Sequence, residues 1–384
     1  MKLLYVQDSL GTGGAERSNA ELWYYLRKEG VQIKIVVLSH RKEGIEQEIL
    51  KEGFDVNFLE PGNLISHSKQ ISQVIKNYKP DIVHSSLYNA SMRVRMAKLF
   101  TSFYHVESLV NCLYDEVRFK DPKVNSFSLK VYRKIDKYTQ KGTDKFIAVT
   151  NEVKKHYEKQ LNIPASKIDF IHRGRKDNPY RHEKQEVGQQ LRRELGFAQD
   201  DLIFVHVGRQ EYQKAHIDIL KAIKEQDEKL QQLHVKFIFC GRNGNSTDVI
   251  EDFLNKENIK TEMRFLGHRT DIYRILVASD VFVLPSLYEG IGGVSIEAQA
   301  AELPVICSDI AVFKEVMKGN PYIEFFEKSN FDDLGQKLVK LAGSPALREK
   351  MGKEGRKNYI NNFQLDSINR QVLDYYKKLV EEMV

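Results

Sequence analysis

Residues 281–300 read VFVLPSLYEGIGGVSIEAQA. The apolar run Val281–Leu284 suits a buried strand, Pro285 and the glycines Gly290–Gly293 suit a turn, and the remainder suits a helix. A strand passing to a helix through a glycine turn is one step of a βαβ progression, and the alternation continues in both directions. Strands are predicted at Leu202–Val207, Val235–Cys240, Met263–Leu266 and Val305–Cys307 around it. The first half repeats the pattern at Leu3–Val6, Ile33–Leu38, Val56–Phe58, Asp81–His84, Phe103–Val106, Phe146–Val149 and Ile168–Ile171, with helical stretches such as Ala15–Lys28 and Ile71–Asn77 between. Short strands separated by helices predict parallel sheets. The expected fold is therefore α/β, with two Rossmann-like, doubly wound domains.

Between the two runs lies the polar stretch Arg173–Asp200, which carries Pro179, three glycines and many charges and reads as a linker. Domains are expected at 1–180 and 181–365, with 366–384 a C-terminal helix packing back on the body. Ligands of such sheets bind beyond the carboxyl ends of the strands, so a cleft between the domains is the expected site.

Composition narrows the class. Hydrophobic residues are 41% and charged residues 29% of the 384, as in globular chains. No run approaches the ~18 apolar residues of a membrane helix, and the start MKLLYVQDSL reads as a strand rather than a secretory segment. Cys112, Cys240 and Cys307 are far apart, with no CxxC or HExxH, so neither zinc nor a disulfide framework is expected. A cytoplasmic location follows. The net charge of +6 is uneven, +9 over residues 1–180 and −3 over the rest, and points the first half toward something anionic.

Three loops carry chemistry. Gly11-Thr-Gly-Gly-Ala-Glu-Arg-Ser18 follows the first strand and opens a helix, where backbone N–H groups can receive an anion. Glu16 stands where the dinucleotide fingerprint needs glycine, and no GxxxxGK[ST] occurs, so a nicotinamide site and a P-loop are both disfavoured. Arg209 and Lys214 follow the strand Leu202–Val207 and suit a diphosphate. Glu289 and Glu297 bracket the turn Gly290–Gly293, and their carboxylates suit vicinal hydroxyls while the turn holds phosphate oxygens.

The E-x7-E element Glu289–Glu297, the Arg209/Lys214 pair, the GTGGAE loop and the LPS strand end before Tyr288 resemble those of retaining family-4 glycosyltransferases of the GT-B fold. The resemblance extends over nearly the whole chain, through the HRG turn His172–Gly174 and the C-terminal helix, and the GGAE loop resembles members that build cell-surface polysaccharides. It implies that Arg209 and Lys214 grip the donor diphosphate, that Glu297 binds ribose and that Glu289 contacts the transferred sugar. It also implies backbone donors at Gly292, Gly293 and Val294, closure of Gly13 and Gly14 over the phosphate, and a catalytic role for His105 at a strand end. The donor would be a nucleoside diphosphate sugar, UDP preferred, and the acceptor a glycan or lipid-linked glycan. No cofactor is implied, nor a metal, since no D-x-D occurs.

Departures at Ser86, Arg173, Ala215 and Gln299 bear on sugar recognition. A GT-B-like sugar-nucleotide epimerase and a non-catalytic subunit stay open as alternatives. A phosphorylase would need a longer chain and a pyridoxal lysine. Residues Arg118–Lys145 hold nine Lys+Arg against three Asp+Glu, interleaved with Phe119, Phe127, Tyr132 and Tyr138. That stretch predicts peripheral contact with an anionic membrane, at the inner face, through a surface that could equally pack on the sheet; nucleic acid is not expected.

Overall fold

The computed structural model describes residues 1–383, and among them the chain divides into two units. The first takes Met1–Phe119, Val124–Gly174 and the chain from Leu365 onward; the second takes Lys120–Lys123 and Arg175–Gln364. The break therefore falls after Gly174 rather than at 180, and the last helix, Leu365–Glu381, belongs to the first unit.

The first unit holds seven strands: β1 (Lys2–Gln7), β2 (Gln32–Val37), β3 (Asp55–Phe58), β4 (Ile82–Ser86), β5 (His105–Leu109), β6 (Lys145–Ala148) and β7 (Ile168–Phe170). They pair in the order β3-β2-β1-β4-β5-β6-β7, every neighbour parallel. Helices cover both faces, so β1, β4 and β5 are almost wholly buried and read as continuous apolar runs rather than alternating ones. Tyr5, Trp23, Leu26 and Ile35 form one core layer with Leu373, Tyr376 and Leu379 of the last helix. The opposite layer joins Leu4, Val6 and Val83 to Ile71, Ile75 and Val94. Helix starts follow local chemistry: Asn63, Asn125 and Thr150 each accept a backbone N–H three residues on.

The second unit contains β8 (Leu202–Val207), β9 (Val235–Cys240), β10 (Met263–Phe265), β11 (Val281–Leu284), β12 (Val305–Ser308) and β13 (Glu324–Phe326). The order is β10-β9-β8-β11-β12-β13, again all parallel. Phe204, Phe237, Val283 and Phe326 meet Ile219, Leu334 and Leu338 in its core.

Two expectations are corrected. The stretch Arg173–Asp200 is no linker, because it contains the helix Lys184–Leu195, which buries Val187, Gly188 and Leu191. Arg192 of that helix donates to the carbonyl of Ala278 at 3.1 Å and to Asp280 at 2.7 Å, tying it to the body of the second unit. The fifth strand begins at His105, not Phe103. Its register is set by β4, with Val83 opposite His105 and Ser86 opposite Ser108.

Candidate active site

In the second unit the chain turns sharply beyond β8. Gly208 leads to Arg209, then to the single turn Tyr212–Lys214, and Ala215 adopts a left-handed φ of 47° before the helix His216–Glu225. This loop is stitched to the one beyond β11. Leu287 N–H donates to the carbonyl of Gln213 at 2.8 Å, and Gln213 Nε2 donates to that of Tyr288 at 2.7 Å. Ser308 at the end of β12 donates to the carbonyl of Ser286 at 2.6 Å, fixing the loop from its other side.

That stitching brings Lys214 Nζ onto the carboxylate of Glu289, which also accepts from Ser286 Oγ at 2.8 Å. Both members of the pair are largely buried. Arg209 is different: its side chain is 70% exposed, and it reaches Glu211 at only 3.5 Å. One cation is thus held in a buried ion pair and the other is exposed.

The helix after this turn begins at Gly293 and runs to Ala300. Its N-cap Gly292 has φ 66°, and a Cβ there would also meet the Phe313 ring at 2.5 Å, so glycine is required twice over. At Gly293 a Cβ would lie 1.7 Å from the Arg175 guanidinium. As the first helical residues, Gly293 and Val294 present N–H groups that no intrahelical carbonyl accepts. Glu297 lies one turn inside and pairs with Arg175 Nε at 3.0 Å. Arg175 went unrecognised in the sequence; nothing in HRGRK marks it, since its partner is far along the chain.

The first unit carries its glycine loop beyond β1. The helix Gly14–Lys28 is capped by Gly13, whose carbonyl accepts Arg17 N–H at 3.1 Å, and no atom lies within 4 Å of where a Gly14 side chain would begin. Gly44 holds the next loop against this one so closely that a Cβ would fall 1.9 Å from the carbonyl oxygen of Leu10. Asp8, also unrecognised, accepts from Ala90 N–H at 2.7 Å and Asn89 Nδ2 at 3.1 Å at the start of the helix Tyr88–Ala97. Burial pushes its carboxyl above the usual range even against those bonds.

His105 is corrected. As the first residue of β5 it lies at the amino end, opposite the edge where ligands of parallel sheets bind. It is fully buried, and its ring nitrogens are engaged by Ser85 Oγ at 2.8 Å and Thr143 Oγ1 at 3.2 Å. Burial and the nearby charges of Arg95 and Lys98 hold its pKa well below the ordinary value. This is an interior packing histidine. At the carboxyl end of β5 stands Ser108 instead, paired with His84 Nε2 at 2.8 Å and receiving Arg173 Nη2 at 3.4 Å. The other His84 nitrogen meets Tyr376 of the last helix at 2.7 Å.

Two all-parallel α/β units, one with a buried cation–carboxylate pair at its ligand edge, make up the GT-B architecture of glycosyl-transferring enzymes. Solved structures share that fold over nearly the whole chain. A glycosyltransferase from Rickettsia africae ESF-5 matches at 24% identity and TM-score 0.81, covering 99% of this chain and 98% of that one. Anabaena HepE in complex with UDP-glucose matches at 16% and 0.83, covering 98% and 100%. A galactosyltransferase of Escherichia coli, the UDP-Gal:alpha-D-GlcNAc-diphosphoundecaprenol alpha-1,3-galactosyltransferase, is 28% identical over 314 residues, 80% of this chain and 78% of its own. Residues 12–177 match the profile of Glycosyltransferase Family 4, and residues 188–358 that of Glycosyl transferases group 1. The chain belongs to the family-4 glycosyltransferases.

Proposed function

We propose that this transferase moves a sugar, with retention of configuration, from a UDP-sugar to a glycan or lipid-linked acceptor in cell-envelope polysaccharide synthesis, at the cytoplasmic face of the membrane. The observation that carries the reading is the buried Lys214–Glu289 pair at the carboxyl edge of β8 and β11. Departure of a nucleoside diphosphate builds negative charge on the leaving phosphate. Lys214, Arg209 and the N–H groups of Gly293 and Val294 stabilise that charge most when it is fully developed. Glu289, held by Ser286, orients the sugar hydroxyls, and Glu297 takes the ribose by releasing part of its contact with Arg175. The cations do the work of a divalent ion, so transfer proceeds without metal.

The UDP and the lipid diphosphate are supported by the names of the relatives, which act on or bind such molecules. The test is a thermal-shift screen of UDP-, GDP- and ADP-sugars followed by transfer assays with and without chelator. A UDP-sugar at 100 times its Kd should stabilise the fold by ~2.7 kcal/mol, and the product should keep the donor's anomeric configuration by NMR. No shift with any nucleotide sugar, or activity that only magnesium or manganese restores after chelation, would overturn the corresponding part.

A further inference from the structure

Two cation–carboxylate pairs flank the glycine turn of the second unit. Lys214 holds Glu289 before it, and Arg175 Nε holds Glu297 Oε1 at 3.0 Å after it. The second pair is the less expected. The amino end of a helix carries partial positive charge, so a cation placed there is repelled. Yet the Arg175 guanidinium lies directly over Gly293, the first residue of the helix Gly293–Ala300. A Cβ on that glycine would fall 1.7 Å from Nη2, 2.5 Å from Cζ and 2.8 Å from Nε. Standard bond lengths then put Nη2 within about 5 Å of the Gly293 amide nitrogen. The main chain of Arg175 is anchored independently of its side chain. Its N–H donates to the carbonyl of Phe363 at 2.9 Å, and its own carbonyl accepts from the Tyr359 hydroxyl at 3.0 Å. Both members of the pair are mostly buried, Glu297 the less so.

We propose that Arg175 is a third cation of the donor site, stored on Glu297 and handed to the diphosphate when the ribose arrives. The proposal rests on the reading of Glu297 as the ribose carboxylate. A phosphate oxygen accepting the Gly293 N–H at about 2.9 Å comes within reach of a guanidinium that has only its outer torsions to turn. Each group then exchanges one suitable partner for another. The carboxylate gains hydroxyl donors, and the guanidinium gains an anion whose paired oxygens fit its fork. Before the donor enters, the pairing keeps Glu297 from presenting an uncompensated negative charge to the incoming phosphates. The competing role, a prop that merely fixes Glu297, predicts a different mutant.

The experiment titrates the full chain by calorimetry with UDP and 2′-deoxy-UDP, and in parallel with GDP and 2′-deoxy-GDP. Arg175→Ala should weaken a nucleotide and its deoxy form by the same factor, on the order of tenfold to a hundredfold for one lost charged hydrogen-bond partner. The preference for the ribose form should survive, because Glu297 still reads the 2′-hydroxyl. Arg175→Lys should recover part of the affinity, and Glu297→Gln should shrink the preference instead. Arg175→Gln, which keeps the bulk as well as the main-chain bonds, carries the same prediction if the alanine variant does not fold. Unchanged nucleotide affinity in Arg175→Ala overturns the proposal. So does loss of the preference together with the affinity, the mark of a prop. A wild-type chain that binds neither diphosphate overturns the donor reading and this proposal with it, whereas wild-type binding that ignores Arg175 overturns this proposal alone.

Discussion

Arg209 and Lys214 lie five positions apart and share one assigned task, yet their surroundings differ enough to separate their mutants. Arg209→Ala removes an exposed side chain whose ion pair is worth little, so melting should be unchanged while turnover falls on the order of 10²–10³. Lys214→Ala removes the same kind of transition-state contact and also strands Glu289 inside the protein. It should lose both activity and thermal stability, and Glu289→Gln in that background should restore part of the stability without the activity. Parallel kinetics and melting curves on the three variants check this; wild-type turnover in Arg209→Ala and Lys214→Ala would remove both from the site. Arg175 invites a sharper test. Gly293→Ala must expel its guanidinium, at a cost of about 1–3 kcal/mol. The same change should cost little once Arg175 is Ala, a non-additivity that a double-mutant cycle would read directly. The motif residues on these loops were legible because their chemistry is written locally: a cation pair after a strand, acids flanking glycines. Arg175 and Asp8 were not, because each is defined by a partner that only the tertiary fold delivers.

At the scale of elements, the strands could be read because both faces of a parallel sheet are buried and leave unbroken apolar runs. Their ends could not. The run Phe103–Val106 looks like a strand, but pairing with β4 starts the ladder at His105 and moves that histidine to the wrong edge for catalysis. The supposed linker failed for a related reason: Lys184–Leu195 is polar on most of its surface and buries only a narrow face. β13, three residues long, gave no signal above its surroundings. The buried ion pairs of Arg95 with Glu107 and Asp136 make a prediction at this scale. Arg95→Met leaves Glu107 and Asp136 uncompensated, and breaking such a cluster should destabilise the first unit by about 3–5 kcal/mol. Chemical denaturation would show it, with Arg95→Met more damaging than the exposed Lys134→Met.

For the whole molecule, buried histidines set an acid limit. His84 and His105 in the first unit, and His206 and His216 in the second, are held below the ordinary pKa chiefly by burial, His206 at about 4. A folded-state pKa below the unfolded one means stability is full above about pH 6.5 and is lost as pH falls through the window below it. For His206 the window runs from about 6.5 to about 4, at about 1.4 kcal/mol per pH unit. Urea midpoints should therefore hold steady between pH 7 and 8 and drop steeply toward pH 5, with His206→Gln flattening part of the slope; a midpoint constant down to pH 5 would contradict it. The placement of the helix Leu365–Glu381 has its own consequence for biosynthesis. Tyr376 closes the core of a unit whose other strands all lie before residue 175, while the second unit is almost entirely one continuous segment. At ribosomal speeds of ~5–20 residues per second, the amino-terminal sheet must wait tens of seconds with one apolar layer uncovered. The half made later is thus the first able to finish, and the nascent chain needs shelter for the half made earlier.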